Sequence, residues 1–158
     1  MTVQEKAKIL KDLEEKLGSN VVNTLKELFQ NLNEESTKEV SQRRNSEIQL
    51  KREVTNIIRE IGIPSNLKGY QYLREAIMLV YKNPEYINLV TKILYPKVAK
   101  VYKTTDKRVE RSIRHAIELA WSKSDDKILH KYFGSTDKPT NSRVIADITD
   151  FLHLKHNE

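Results

Sequence analysis

Cysteine is absent from the 158 residues, so disulfides and thiolate metal sites are excluded and a reducing compartment is the natural home. Glycine and proline are scarce, with four of each. A β-sandwich or barrel needs a turn about every ten residues, and this chain lacks the means to punctuate itself that often. No stretch approaches the roughly eighteen apolar residues that a membrane-spanning helix requires. There is no apolar signal region either, since Met1-Thr2-Val3-Gln4-Glu5-Lys6 opens directly into an amphipathic pattern. The cytoplasm is the expected location. A glycine-rich phosphate loop is missing too, which removes the support for nucleotide hydrolysis.

What remains is a chain rich in charge and in helix formers. Hydrophobic residues make up 38% and charged residues 32%, enough for one core and a well-solvated surface. The formal net charge is +6, and its location is informative. Residues 1–45 carry eight basic and eight acidic side chains, whereas 46–158 carry twenty against fourteen. Within 91–123 the balance is nine basic to three acidic. A surplus confined to one short stretch is the electrostatic footprint of a polyanion-binding element. A solvated lysine-rich face would look the same on charge alone.

Apolar spacing divides the chain into helices. Val3, Ala7, Leu10, Leu13 and Leu17 recur at helical period, and Gly18-Ser19-Asn20 supplies a stop followed by a start. A second stripe holds Val21, Leu25, Leu28, Phe29 and Leu32. Residues 33–45 hold Val40 as their one large apolar residue and read as a linker or an exposed helix. The expected boundary therefore separates a helical extension, 1–45, from a main domain, 46–158. Two short amphipathic helices cannot bury themselves, so the extension is expected to pair with a partner or with the main domain, or to dimerise through residues 1–32.

The main domain is expected to open at a capping box, Ser46-Glu47-Ile48-Gln49, and to run through Ile48, Val54, Ile57, Ile58 and Ile61 to Gly62 and Pro64. A helix from about Lys68 carries Leu73, Ile77 and Val80 to Asn83-Pro84. Pro84 can begin a third helix with Ile87, Val90, Ile93 and Leu94, and Pro96 starts or kinks the next. A long helix runs from Thr104-Thr105 to about Trp121, and a last one comes after Lys138-Pro139-Thr140-Asn141-Ser142. No strand and no repeat is evident. The fold class is all-α, a helix-turn-helix domain of about six helices behind an N-terminal helical hairpin.

Residues 96–121 fit a helix-turn-helix. Ala99 is small where a second helix crosses closely, Tyr102 can cover the crossing, and Val109 and Ile113 bury the second helix against the first. Lys103 occupies the turn position usually given to glycine, and Thr104 or Thr105 can cap the second helix. That helix has two faces. Val109, Ile113, Ala116, Ile117, Ala120 and Trp121 lie on one, with Lys107, Arg108, Glu110, Arg111, Arg114 and His115 on the other. Arginine reads guanine O6 and N7 with paired hydrogen bonds, glutamate can accept from cytosine N4, and further cations hold phosphates. The competing reading is a surface helix laced with ion pairs such as Glu110 with Arg114.

Several segments carry a family resemblance. Lys68-Gly69-Tyr70-Gln71-Tyr72-Leu73-Arg74-Glu75-Ala76-Ile77, Leu94-Tyr95-Pro96, the run Arg108-Val109-Glu110-Arg111-Ser112-Ile113-Arg114-His115-Ala116-Ile117-Glu118 and Lys138-Pro139-Thr140-Asn141-Ser142 are such segments. Together they resemble the effector domain of stage zero sporulation protein A, a response regulator of endospore-forming Firmicutes. The similarity spans roughly residues 50–155. It implies a six-helix DNA-binding domain, with the helix after Thr105 in the major groove. It also implies recognition of boxes like TGTCGAA, by a homodimer or by two copies in tandem. Carried over by residue, Glu110 and Arg111 would face base edges. Arg108, Arg114 and His115 would contact bases or nearby phosphates. Lys97, Lys103, Thr105, Lys107, Lys138, Thr140, Asn141 and Ser142 are backbone-contact candidates. Members of that family carry an N-terminal receiver, and in its place stand about 45 helical residues. The chain is thus expected to be a receiver-less relative or an excised fragment.

Other signals are weaker. His153 and His156, with Asp147 and Asp150, could hold a metal, but an exposed helix end is the simpler reading, and no metal or other cofactor is expected. His115 has no nucleophile beside it, so no catalytic residue and no enzyme activity is expected. Trp121 sits on an apolar face, and Tyr70, Tyr72, Tyr81, Tyr95 and Tyr102 sit at helix ends or stripes, where packing is their ordinary use. The expected function is sequence-specific binding of double-stranded DNA as a transcriptional regulator. The alternatives are a plasmid-, phage- or conjugation-associated accessory DNA-binding protein with a different site, or a protein-interaction module.

Overall fold

The computed structural model describes residues 1–157, and among them there are helices and no strands. Helix α1 spans Val3–Leu17. Thr2 and Glu5 form a reciprocal capping box, the Thr2 amide donating to the Glu5 carboxylate at 2.7 Å and the Glu5 amide to Thr2 Oγ1 at 3.2 Å. It ends at Gly18, whose φ of +84° is open to glycine and costly for a side chain. Helix α2 then runs from Ser19 to Ile61, 43 residues without interruption. No helix start occurs at Ser46, and residues 33–45 are helix rather than linker. The reason is that neither glycine nor proline occurs between Ser19 and Ile61, so the hydrogen-bond ladder has nothing to break it.

By its internal contacts the chain falls into two compact units, Met1–Glu47 and Ile48–Glu158. The first unit comprises α1 and most of α2. Its one buried residue among those described is Val22, with Leu10, Leu13 and Leu25 half-buried. An ion pair, Lys26 to Glu14 at 3.5 Å, joins its two helices.

The second unit is built around a continuous apolar core. Gly62, at φ +97°, ends α2, and α3 (Lys68–Lys82) comes next. Residues 84–94 depart from the regular helix that their apolar spacing predicts. Pro84–Asn88 form a 3₁₀ turn and Val90–Leu94 a π turn, ahead of α4 (Tyr95–Val101). Pro96 lacks the N–H that would bond the carbonyl of Lys92, and its ring crowds that turn. The amides shift accordingly, Leu94 donating to Leu89 at 3.1 Å and Tyr95 to Val90. Helix α5 covers Asp106–Trp121, α6 covers Asp126–Phe133 and α7 covers Asn141–His156. The short α6 is capped by Asp125 and closed by Gly134, and apolar spacing alone passes it by.

Ile58, Ile61, Leu73, Ile77, Leu94, Ile113, Ile117, Leu129, Ile145, Ile148 and Leu152 are fully buried, each contributing about 2 kcal/mol through removal from water. Gly69 is where α3 crosses α5. A Cβ built there would lie 2.0 Å from the Ser112 carbonyl oxygen and 2.9 Å from the Ala116 Cβ. That glycine sets how closely the two helices approach.

The end of α7 is exposed, as expected, but tied down. His156 bonds the Tyr81 hydroxyl through Nδ1 at 2.6 Å and Glu53 through Nε2 at 2.9 Å, and His153 stacks on Tyr81 at 4.2 Å. Lys155 joins Glu53 at 3.3 Å. Burial pushes the Glu53 carboxyl up, but the hydrogen bonds and charges of His156 and Lys155 outweigh it and hold the group below its ordinary 4.5.

Candidate nucleic-acid interface

Helices α4 and α5 form the helix-turn-helix. Val98 and Ala99 on α4 and Val109 and Ile113 on α5 are buried between them, and Tyr102 packs beside Tyr72 with ring centroids 5.1 Å apart. The turn closes through the Thr104 amide, which donates to the Ala99 carbonyl at 2.9 Å. Lys103 adopts φ +52° and is the one non-glycine residue with positive φ among those described. It occupies the position where helix-turn-helix units favour glycine, with its side chain exposed. Thr105 is the cap, its Oγ1 accepting from the Arg108 amide at 3.3 Å.

The two faces of α5 separate as its sequence period requires. Val109, Ile113, Ala116, Ile117 and Ala120 are buried, while Lys107, Arg108, Arg111, Arg114 and His115 face solvent. Trp121 is half-buried against Phe133, with ring centroids 4.9 Å apart. Glu110 is half-buried, and its carboxylate pairs with the Arg114 guanidinium. The ion pair named by the competing reading is therefore present. Arg108 and Arg111 stand on the same helix with exposed guanidinium groups one turn apart.

The start of α7 is fastened to the back of this helix. Asn141 donates through Nδ2 to the Glu110 carbonyl at 3.0 Å and to the Tyr95 hydroxyl at 3.3 Å. Burial pushes the Tyr95 hydroxyl above its usual range, so it stays protonated. The Asn141 amide thus has a structural engagement that its motif does not announce, because the contact spans 31 residues. Thr140 Oγ1 accepts from the Arg143 amide at 3.2 Å as the cap of α7, and its hydroxyl lies 3.2 Å from that of Ser142. Lys138 reaches Glu118 on α5 at 3.3 Å. A cleft of about 600 Å³ runs between these elements, lined by Glu110, Arg114, Lys138, Thr140, Asn141 and Ser142 among others. Of the remaining candidates, Lys97 lies exposed on α4 with its ammonium 5.5 Å from the centre of the Tyr86 ring. Arg143, exposed at the start of α7 and paired with Asp147 at 2.8 Å, adds a cation that sequence reasoning overlooked. Its place beside Thr140 and Ser142 was the available signal.

Residues 54–152, more than half of the chain, match the family described as the sporulation initiation factor Spo0A C terminal. The chain belongs to this family. A Spo0A C-terminal domain is a DNA-binding effector domain that acts in the transcriptional regulation of sporulation, and it is not an enzymatic one. The matched residues begin at Val54 inside α2 and end at Leu152 inside α7, so they enclose all of α3 to α6 and the helix-turn-helix. Within the Spo0A C-terminal frame, the exposed cations of α5 lie on the second helix of the helix-turn-helix. No helix among the described residues is long and apolar enough to cross a membrane.

Proposed function

We propose that the chain is a sequence-specific regulator of transcription that lays α5 in the major groove of duplex DNA. The observation that carries this reading is the placement of Arg108, Arg111 and His115 on the solvent side of a helix whose opposite side is wholly buried. Arg111 reads a guanine with two parallel hydrogen bonds, and Glu110, oriented by Arg114, accepts from a cytosine amino group. Arg108, Arg114 and His115 complete the base-facing set or hold adjacent phosphates. Lys97, Lys103, Thr105 and Lys107 hold the backbone at one end of α5. Lys138, Thr140, Asn141 and Ser142 hold it at the other, with the Asn141 side chain acting through its grip on α5. Two copies occupy neighbouring boxes. The cytoplasm is where such a regulator meets its DNA.

Fluorescence anisotropy tests the reading with a duplex carrying one TGTCGAA-like box and a scrambled duplex, at several salt concentrations. The expected result is a preference for the box of about tenfold or more. Affinity should also fall with salt by a slope of about 0.9 for each phosphate neutralised. Salt-sensitive binding without preference would move the protein to a different cognate site, as in an accessory DNA-binding role. Absence of binding to either duplex would overturn the reading.

A further inference from the structure

The unit Met1–Glu47 leaves most of its large apolar side chains in water. Val3, Ile9 and Leu17 on α1 and Val21, Leu28, Phe29, Leu32 and Val40 on α2 are each between 46% and 84% exposed. Phe29 and Leu10 line an open cleft of about 610 Å³ between the two helices. A two-helix hairpin with one buried residue lacks the core that holds longer helices together. The stripe Val21, Leu25, Leu28 and Leu32 alternates steps of four and three, the repeat by which helices pair with helices.

Charge selects the occupant. Residues 1–45 hold equal numbers of basic and acidic side chains, so neither a polyanion nor an anionic lipid surface is favoured, since helices that lie on such surfaces are rich in lysine and arginine. On the side of α1 that carries Leu10 the charges are self-complementary. Reading α1 outward from Leu10, Lys6 mirrors Glu14, Ala7 mirrors Leu13 and Val3 mirrors Leu17, all within about 60° of Leu10 around the helix. Both of these charged residues are exposed. A second α1 running in the opposite direction therefore sets cation against anion and apolar against apolar. A parallel copy would set each charge against its own kind. Glu14 already meets Lys26 of its own hairpin at 3.5 Å, and Lys6 of a second copy extends that pair into a small network.

We infer that residues 1–47 form a self-association module, in which two copies of the chain pair hairpin to hairpin with their α1 helices antiparallel about Leu10. Such an interface is isologous, the same patch serving both copies. The inference does not depend on the DNA reading, because pairing is measured without DNA.

Sedimentation equilibrium of the full chain tests it. The expected mass is about twice 18.5 kDa. Leu28→Glu with Leu32→Glu, both at exposed positions, should weaken the dimer more than about tenfold without loss of helicity in circular dichroism. A monomer across the concentration range overturns the inference and leaves the DNA reading untouched. A dimer indifferent to the two glutamates overturns it as well. Orientation is read separately, using the absence of native cysteine. V3C mixed with L17C should form a mixed disulfide, while V3C alone should not. Self-linking of V3C with no mixed product would overturn the antiparallel arrangement. As a second readout, Lys6→Glu should weaken the dimer at low salt, and an unchanged dimer would remove Lys6 from the interface.

Discussion

The two units use similar helices to opposite ends. In Ile48–Glu158 the apolar residues of α2, α3, α5 and α7 converge on a shared core, and the surface left over is cationic along α5. In Met1–Glu47 most of the large apolar residues remain outside, beside charges that balance. Helical periodicity is present in both, so periodicity alone does not tell a core-facing stripe from one awaiting a partner. The difference lies in how many elements are available to meet the stripe. Two helices cannot close around a core, whereas six or more can.

Glycine breaks this comparison most sharply. Gly69→Ala should cost about 3 kcal/mol in urea unfolding, because backbone and a helix side chain fill the space its Cβ would take. Gly18→Ala has no atom within 4 Å of the new methyl and should cost only its backbone strain, about 1 kcal/mol. Comparable losses at the two sites would mean that α3 and α5 are not closely packed.

Next in size, Arg111→Ala should weaken binding at the cognate box by about 1–3 kcal/mol and relax discrimination there. Lys103→Ala should weaken binding to box and scrambled duplex alike. Identical behaviour of the two variants on both duplexes would remove Arg111 from base readout.

Lys103→Gly separates folding from binding in one position. Its positive φ costs a lysine roughly 1 kcal/mol that glycine avoids, so the variant should melt higher while binding DNA more weakly at low salt. A lower melting temperature would show that the turn does not take this conformation in solution.

The smallest effect is acid sensitivity, and it belongs to the second unit. Glu53, and Glu60 through its hydrogen bond from Tyr132 and its pairing with Lys131, are both held below the ordinary 4.5. A depressed carboxylate contributes its stability in full above the unfolded value and loses it as the pH falls through the folded one. Stability should therefore decline below about pH 4.5, and Glu53→Gln should flatten part of that decline in a pH series of melts. An unchanged slope in the variant would mean that the carboxylate is not held by His156 and Lys155.

Much of the helix-turn-helix was legible in the sequence because its local signals agreed, with the choice of cap between Thr104 and Thr105 left for the structure to make. Thr105 caps α5, the apolar spacing from Val109 to Ala120 defines its buried side, and Gly62 ends α2. The continuity of α2 was less legible. A polar stretch without an apolar stripe reads as a linker or as an exposed helix, and only the missing glycine and proline favour the helix. The π turn at Val90–Leu94 arises from a proline several residues further on, and α6 is too short for periodicity to register. At the interface, exposure of the α5 cations could be read from spacing. The engagement of Asn141 with Glu110 and Tyr95 could not, because it joins residues far apart in sequence.

That same clamp bears on the thermodynamics of recognition. With Asn141 holding the carbonyl of Glu110 and Thr105 fixing its first turn, α5 is already ordered before it meets a ligand. Little of the domain has to fold on binding, so little conformational entropy is surrendered. The heat-capacity change on complex formation then scales with the surface covered by DNA and carries no additional contribution from ordering the protein.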